Sequence, residues 1–316
     1  MEPSFPDLSE VLGQETAKRA LEIAAAGGHP ILLVGPPGAG KTMLAERLPG
    51  LLPPLLPEEA AELAEIHARC PGAGKAPEPA RPFRRPPPTI SPAALIGGGR
   101  RLGEVSLAHH GILFLDDLTA FRPATLAALL QPLTEGTAGV SRPGRSDRPP
   151  ARFLLIAAMN PCPCGRRLSG GPCRYRPAAI GRHLRAVTGT FLDRIHLHVE
   201  VPSLCLAELR SGAGESTATV SARVTVAREE QRARQGRLNA ALHPEALRLH
   251  ASPAAATGRS LLDEITRQLG LSARALANLL KVARTIADLG GSDGIRPAHL
   301  AEAAQYHSVP LGSLNG

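Results

Sequence analysis

Aromatic residues are scarce in this 316-residue chain, where they make up 3% of the sequence and tryptophan is absent. Proteins usually bind single-stranded nucleic acid by stacking aromatic side chains on its bases, so the composition does not favour recognition by stacking. No apolar run approaches the length of a transmembrane helix, and the N-terminus has no basic region followed by an apolar stretch. A membrane span and a secretion signal are therefore not predicted, and a cytoplasmic protein is expected.

Cysteines are few and odd in number. The five cysteines, at positions 70, 162, 164, 173 and 205, do not make the even set that is typical of a disulfide framework. Cys162, Cys164 and Cys173 supply three thiols, whereas a closed structural zinc site takes four ligands. His183, or Cys205 from farther along the chain, can be the fourth. Reduced thiols are the favoured interpretation, and structural zinc is not expected.

The chain has a net charge of +8, and one segment of it, residues 140–185, contains almost no acidic residues. Residues 140–185 contain ten arginines and one acid, Asp147. Such basic loops are either solvated or contact a polyanion, and charge alone does not decide between the two. If the partner is DNA, contacts to its backbone are expected, and the candidates are Arg142, Arg145 and Arg148. A second basic run has arginines at positions 81, 84, 85, 100 and 101.

Short apolar segments alternate with helical patterns as far as Pro202. Four segments, "ILLV", "ILFL", "FLLIAAM" and "HLHVEV", predict buried strands, and their alternation with helices indicates an α/β fold with a parallel sheet. "KTMLAERLPGLL" and "RPATLAALLQPLTEG" are each predicted to form one helix. After Pro202 only helical patterns follow. We therefore expect an α/β domain over residues 1–206 and a small all-helical domain over residues 207–316.

The stretch "GPPGAGKT" matches the phosphate-binding pattern G-x-x-x-x-G-K-[ST] in full. It follows the "ILLV" strand and precedes a helix, which is the context in which backbone N–H groups surround phosphate. Lys41 is expected to reach the β- and γ-phosphates of ATP, and Thr42 to bind Mg²⁺ together with Asp116 at the end of the "ILFL" strand. The predicted nucleotide-binding residues are Gly35, Pro36, Pro37, Gly38, Ala39, Gly40, Lys41 and Thr42.

Longer blocks extend this pattern along the chain, among them "VLGQETAKRALEIAAAGGH", "GEVSLAHHGILFLDDL", "MNPCPCG", "FLDRIHLHVEVP" and "SARALANLLKVARTIADL". In this order, from about Leu8 to Tyr306, they resemble the magnesium-chelatase-like AAA+ ATPases of the YifB/ComM type. The resemblance implies a P-loop AAA+ core with a helical lid and a hexameric ring. It also implies ATP and Mg²⁺ as cofactors, and ATP-driven work on DNA such as branch migration.

The same resemblance assigns roles to individual residues. Asn160 matches sensor 1, which positions the attacking water near the γ-phosphate. Arg194 matches the region that supplies an arginine finger to the neighbouring subunit, and Arg274 matches the sensor 2 arginine of the lid. Asp117 stands where such motors usually carry the glutamate that activates water.

Several departures from the family pattern leave alternatives open. Asp117 is one methylene shorter than glutamate, Pro87 and Pro88 replace two histidines, Tyr175 replaces a fourth cysteine, and His196 stands where aspartate is usual. The family also normally carries an N-terminal domain, whereas this chain starts about seven residues before the ATPase. We expect slow ATP hydrolysis coupled to work on DNA. The alternatives are a degenerate ATP-binding scaffold with little turnover and a chelatase-type motor subunit.

Overall fold

The computed structural model describes residues 5–69, 80–98, 101–142, 145–165, 173–185, 187, 189–205, 208, 212, 214–253 and 255–307. For residues 140–142 and 145–147 it describes the backbone alone. Cys70, Arg100, Arg166 and Arg167, which the sequence analysis singled out, lie outside the described residues.

A parallel sheet of five strands forms the centre of the α/β region. The strands of the described residues are β1 Ile31–Val34, β2 Phe83–Arg84, β3 Gly97–Gly98, β4 Arg101–Leu102, β5 Ile112–Leu115, β6 Val140–Arg142, β7 Arg145–Asp147, β8 Leu154–Met159 and β9 Leu197–Glu200. The five strands of the sheet have the spatial order β2-β5-β8-β1-β9, and two antiparallel hairpins, β3–β4 and β6–β7, are separate from it. The predicted α/β fold class with a parallel sheet and a helical C-terminal region is confirmed.

The sheet is buried on both faces, as expected when helices cover a parallel sheet. Every residue of β1, β5 and β8 is buried. Along β1, Ile31 and Leu33 belong to one hydrophobic core, and Leu32 and Val34 belong to the core on the opposite face. Continuous apolar runs such as "ILLV" therefore predicted these strands correctly, because neither face of the sheet requires polar residues.

Helices cover both faces, and within the described residues every regular element after β9 is helical. None of these helices combines the length and the hydrophobicity that crossing a membrane requires. The helices are α1 Glu15–Gly27, α2 Lys41–Ala45, α3 Leu48–Leu51, α4 Pro57–Ala68, α5 Pro92–Ile96, α6 Glu104–Leu107, α7 Pro123–Ala128, α8 Leu130–Glu135, α9 Pro177–Leu184, α10 Gly189–Leu192, α11 Thr217–Gln235, α12 Pro244–His250, α13 Ala256–Leu269, α14 Ala273–Leu289 and α15 Pro297–Gln305.

Two segments predicted as single helices are each divided in two by a proline. The first becomes α2 and α3, and the second becomes α7 and α8. Pro49 and Pro132 lack the N–H that would bond to the carbonyl four residues earlier, which belongs to Ala45 and Ala128 respectively. Those residues end α2 and α7. The prediction of continuous helices was therefore wrong at the positions where proline removes a hydrogen bond.

The C-terminal helices pack against α1, and one hydrophobic core contains residues of both regions. Arg228, buried on α11, donates Nε to the carbonyl oxygen of Ala25 over 2.7 Å, and Gln231 donates to that of Ala26 over 3.3 Å. These bonds satisfy carbonyls in the last turn of α1, which have no partner within the helix. The boundary predicted between residues 206 and 207 stays a prediction, since both residues lie outside the described part of the chain.

Candidate active site

The predicted phosphate loop connects β1 to α2. Gly38 and Gly40 have φ angles of +79° and +91°, in the left-handed region that favours glycine. The loop leads directly into α2, whose first residue is Lys41. The glycines of the motif are therefore required by the backbone path that brings Lys41 to the edge of the sheet.

Lys41 joins the phosphate loop to the residue predicted as sensor 1. Its Nζ donates to the carbonyl oxygens of Gly35 over 2.8 Å and Pro36 over 2.7 Å, and to Oδ1 of Asn160 over 3.0 Å. Burial lowers the pKa of Lys41, and the charges of the two aspartates after β5 partly offset this effect. The structure therefore brings together two residues that lie 119 positions apart in the sequence.

Thr42 and Asp116 form the predicted magnesium-binding pair. Oγ1 of Thr42 donates to Oδ2 of Asp116 over 3.2 Å. Asp116 directly follows β5, which is separated from β1 only by β8. A hydroxyl and a carboxylate are hard oxygen ligands of the kind that Mg²⁺ prefers, so this donor set fits the ion.

Asp117 holds an unusual backbone conformation, with φ 55° and ψ 59°. Aspartate is among the few residues other than glycine that enter this left-handed region without large cost. Its N–H donates to Oδ1 of Asp116 over 3.0 Å, and its Oδ1 accepts a hydrogen bond from the Thr119 hydroxyl over 3.2 Å. The Asp117 side chain is exposed, so the turn presents a second carboxylate beside the first.

A cavity of about 440 Å³ unites these groups. It brings together most of the phosphate loop, both aspartates and Asn160, as predicted for a nucleotide site. Arg194 and Arg274 are not among its described lining residues. The lining residues are Pro37, Gly38, Gly40, Lys41, Thr42, Met43, Asp116, Asp117, Ala158, Met159 and Asn160.

Arg194 and Arg274 lie near each other instead. Burial lowers the pKa of Arg194, and the positive charge of Arg274 lowers it further. The buried Nε of Arg194 has no hydrogen-bond partner within the residues that the structure describes. The finger and sensor 2 roles of these residues stay predictions.

Arg85 contacts the predicted site although the sequence analysis grouped it with a basic run. Its guanidinium hydrogen-bonds the carboxylate of Asp116. The contact between Arg85 and Asp116 depends on the pairing of β2 with β5, so no local sequence motif predicts it.

Two other arginines of that second basic run, Arg81 and Arg84, also have partners within the chain. Arg81 is buried and donates to the carbonyl oxygens of Pro53 and His110, each over 2.7 Å, and to Glu59 over 2.9 Å. Arg84 forms an ion pair of 2.7 Å with Glu104. Arg81 is therefore structural, whereas Arg84 is ion-paired but remains partly exposed.

The three DNA-contact candidates lie on or beside the hairpin β6–β7. Arg142 and Arg145 are directly paired across its two strands. Arg148 is exposed and its Nη1 lies 3.5 Å from a carboxylate oxygen of Glu135. An exposed pair at this distance contributes little to stability, so Arg148 remains accessible to another partner. DNA contact by these residues stays a prediction.

The cysteine cluster follows Asn160 directly. The sulfur of Cys164 lies 3.4 Å from that of Cys162 and 3.6 Å from that of Cys173. Within the described residues this group of possible metal ligands contains three cysteines and no fourth ligand, and His183 Nε2 lies 3.1 Å from the carbonyl oxygen of Asn160. The expectation of reduced thiols without structural zinc stays a prediction.

Gln14 is a further residue that the sequence analysis did not assign. Its Nε2 donates to the carbonyl oxygen of Pro202 over 2.7 Å and to that of Ala39, in the phosphate loop, over 3.4 Å. Gln14 also lines a second cavity of about 740 Å³, together with His198 and Tyr306. This cavity therefore adjoins the phosphate loop through a single side chain.

Comparison with known proteins identifies relatives over nearly the whole chain. Residues 7–209 match the family model described as magnesium chelatase, subunit ChlI, and residues 214–307 match the model of the ChlI C-terminal region. The uncharacterized protein YifB of Salmonella typhimurium is 46% identical over 309 residues, and the competence protein ComM of Haemophilus influenzae is 44% identical over 312 residues. Both alignments cover 96% of this chain and 60% of the relative, so the chain spans about 60% of the length of these proteins.

A more distant relative carries the chelatase name itself. The magnesium-chelatase 67 kDa subunit of Chlorobaculum parvum is 25% identical over 160 residues, which is 48% of this chain and 23% of that protein.

Proposed function

Because this chain belongs to the magnesium chelatase ChlI family, we propose that it is an AAA+ ATPase that hydrolyses ATP to ADP and phosphate in the cavity around Lys41. One observation carries the proposal. Most of the phosphate loop, a hydroxyl–carboxylate pair suited to Mg²⁺, a second carboxylate and an asparagine all line one cavity. These are the groups that phosphoryl transfer to water requires, since it depends on positioning and on neutralising charge.

Each residue has a distinct part in the proposed reaction. Lys41 places a positive charge against the β- and γ-phosphates, and Mg²⁺ held by Thr42 and Asp116 would neutralise further phosphate charge. Asn160 orients the attacking water, and the Asp117 carboxylate accepts a hydrogen bond from that water and polarises it. The cavity beside Gln14 is where we assign the base and ribose of the nucleotide, because Gln14 contacts the phosphate loop.

Nucleotide binding should depend on Lys41. In Lys41→Ala, loss of a charge-assisted contact should weaken ATP binding by roughly 1.5–3 kcal/mol, about tenfold to a hundredfold. Titration with a fluorescent ATP analogue measures this, and phosphate release measures turnover in the same variant. Arg237→Ala is the control, because it also removes a positive charge and Arg237 is exposed and lines neither cavity. Equal affinity of Lys41→Ala and the unaltered protein would show that the nucleotide binds elsewhere.

We further propose that hydrolysis is coupled to work on DNA. Arg142 and Arg145 occupy paired positions on β6–β7, and like charges directly opposite each other destabilise a strand pair unless an anion lies nearby. The segment after this hairpin continues into β8, and Asn160 directly follows that strand. DNA contact at the hairpin could therefore affect the nucleotide site through this one short segment. The name of the relative ComM, a competence protein, is consistent with a DNA substrate.

Binding to branched DNA should be sensitive to salt and tolerant of sequence. Replacing Arg142, Arg145 and Arg148 together by alanine should reduce the slope of log affinity against log salt by up to about three, if each arginine neutralises one phosphate. The control with the same loss of charge replaces the exposed Arg237, Arg248 and Arg267. Phosphate release with and without branched DNA tests the coupling. Equal effects of the two triple variants, or affinity indifferent to ionic strength, would exclude the hairpin as the DNA contact.

Two alternatives correspond to different outcomes of the same assays. A scaffold that binds ATP with little turnover is favoured by Asp117 in place of glutamate, and it predicts tight binding with no DNA-stimulated phosphate release. A chelatase-type motor subunit is suggested by the distant chelatase relative, and it predicts stimulation only by a chelatase partner.

We also propose a hexameric ring as the active form, in keeping with the AAA+ class. Arg194 and Arg274 do not line the cavity of their own subunit, and in a ring they can reach the nucleotide of the next one. ATP as substrate and DNA as partner make the cytoplasm the proposed place of action.

A further inference from the structure

Arg85 contacts three groups, one of which is the Asp116 carboxylate of the predicted magnesium site. Its Nη2 donates to Oδ2 of Asp116, and its Nη1 lies 3.6 Å from a carboxylate oxygen of Glu46, at the C-terminal end of α2. Its guanidinium carbon lies 5.4 Å from the centre of the buried Phe114 ring, a distance at which the ring face attracts a cation. The guanidinium therefore bridges the helix after the phosphate loop and the strand that carries Asp116.

The pairing of β2 with β5 brings Arg85 to this position. The two strands are parallel, and Arg84 is paired with Leu113. Arg85 directly follows β2, and Asp116 directly follows β5, so both emerge at the carboxyl edge of the sheet, where α/β proteins bind ligands. The contact is therefore a consequence of strand order in the sheet.

The arginine and the predicted metal ion would share the carboxylate of Asp116. Oδ2 of Asp116 accepts hydrogen bonds from both Thr42 Oγ1, at 3.2 Å, and Arg85 Nη2. A divalent ion ligated by Thr42 and Asp116 would lie beside a guanidinium of like charge. We propose that Arg85 is an internal counter-cation of Asp116, which competes with Mg²⁺ and moves away when the ion binds. The inference rests on the proposed function in that it concerns the metal of the same site.

The solvent exposure of the Arg85–Asp116 pair determines how strongly Arg85 should weaken metal binding. The Arg85 side chain is 45% exposed and that of Asp116 is 26% exposed, and ion pairs open to water are weak. The contact should therefore raise the concentration of metal that the site needs without closing the site. Its removal should tighten metal binding by about twofold to fivefold.

The test measures Mn²⁺ binding to the full chain without nucleotide, by the loss of the electron paramagnetic resonance signal of free Mn²⁺. Mn²⁺ is a suitable probe because it accepts the same oxygen ligands as Mg²⁺. Arg85→Ala should bind Mn²⁺ about twofold to fivefold more tightly, whereas Arg85→Lys, which keeps the charge, should bind it about as weakly as the unaltered protein. Arg84→Ala is the matched control, because Arg84 pairs with Glu104, and it should leave Mn²⁺ affinity unchanged. Asp116→Asn should remove the Mn²⁺ binding, which locates the ion.

A second titration separates competition with metal from binding of phosphate. With EDTA present, Arg85→Ala should bind a fluorescent ATP analogue as tightly as the unaltered protein. A large loss of nucleotide affinity in EDTA would make Arg85 a phosphate ligand and overturn the inference. The inference would also be overturned if Arg85→Ala and the unaltered protein bound Mn²⁺ equally tightly, or if neither bound it detectably. If the unaltered protein bound no nucleotide, the proposed function would fail while the Mn²⁺ titration still decided the role of Arg85.

Discussion

Asp117 is the residue that we expect to limit the rate of ATP turnover at the proposed site. Its carboxylate is one methylene shorter than that of glutamate, a difference on the order of 1 Å, and a misplacement of this size can reduce a rate about a hundredfold. The backbone of Asp117 is left-handed, and its carboxylate accepts a hydrogen bond from Thr119. The groups that neutralise phosphate charge do not depend on this residue, so hydrolysis should be slow but measurable.

Substitutions at Asp117 should change the rate in opposite directions. Asp117→Glu should accelerate phosphate release, because the longer side chain brings the carboxylate closer to the attacking water and strengthens the hydrogen bond between them. Asp117→Asn should abolish the remaining turnover while ATP binding persists. Single-turnover phosphate release, with ATP affinity measured in parallel, provides the comparison. An unchanged rate in both variants would mean that Asp117 does not act on the water, and the scaffold interpretation would then be preferred.

Single residues could be predicted where a local motif specifies them. Lys41 and Thr42 belong to one continuous motif, and Asp116 follows an apolar run that predicts a strand. A parallel sheet is then enough to predict that these three residues lie close together. Arg85 and Gln14 reach the site through the pairing of distant segments, and neither has a sequence neighbour that marks it. A charge count placed Arg85 in a basic loop, whereas the structure shows it bound to two carboxylates.

At the scale of elements, a buried ionic network fastens the C-terminal helices. Asp288, at the end of α14, accepts hydrogen bonds from Arg234 over 2.7 Å, Arg284 over 3.0 Å and Asn239 over 2.7 Å. The side chains of Asp288 and Arg284 are each 2% exposed. Asn239 also donates to Thr285, which hydrogen-bonds His29 beside β1. The network therefore connects the helical region to the α/β core.

Removal of this buried charge should destabilise the protein strongly. Asp288→Asn leaves two guanidinium groups without their common partner, and we expect a loss of about 3 kcal/mol in the free energy of unfolding. The control, Glu264→Gln, removes an exposed pair with Arg267 and should cost less than about 1 kcal/mol. Urea denaturation of both variants provides the comparison. If the two losses were similar, Asp288 would not have the central place in the network that its contacts indicate.

Strands could be predicted where they form long, buried apolar runs, but not where they contain only a few residues. The central strands read as apolar runs because helices cover both sides of the sheet. The strands of the two hairpins contain two or three residues, too few for an alternating pattern to show. The breaks in the helices at Pro49 and Pro132 follow from a known local rule, but helical periodicity outweighed that rule in the prediction.

At the scale of the whole molecule, the proposed ring would let a neighbouring subunit complete the site. Arg194 and Arg274 lie together, and neither belongs to the cavity around Lys41. Asn278, one helical turn after Arg274, donates to the carbonyl oxygen of Asp193 over 3.1 Å. This bond holds the helix that carries Arg274 beside the segment that carries Arg194. A single sequence cannot show which surface faces a neighbouring subunit, so the roles of both arginines depend on the assembly.

Arg194→Ala should bind ATP normally but fail to hydrolyse it, because the substitution leaves the nucleotide site intact and removes a charge delivered to the next subunit. Mixing it with Lys41→Ala protein should restore activity, since each variant supplies what the other lacks. In a ring assembled at random from equal amounts, roughly a quarter of the interfaces would combine an intact site with an intact arginine.

Arg274→Ala should behave in the same way, and Arg267→Ala, on the exposed surface of α13, should hydrolyse ATP normally. Full activity of Arg194→Ala alone would exclude the finger role. Inactivity that persists after mixing would show that Arg194 serves its own subunit, because a residue acting within one chain cannot be replaced by a neighbour.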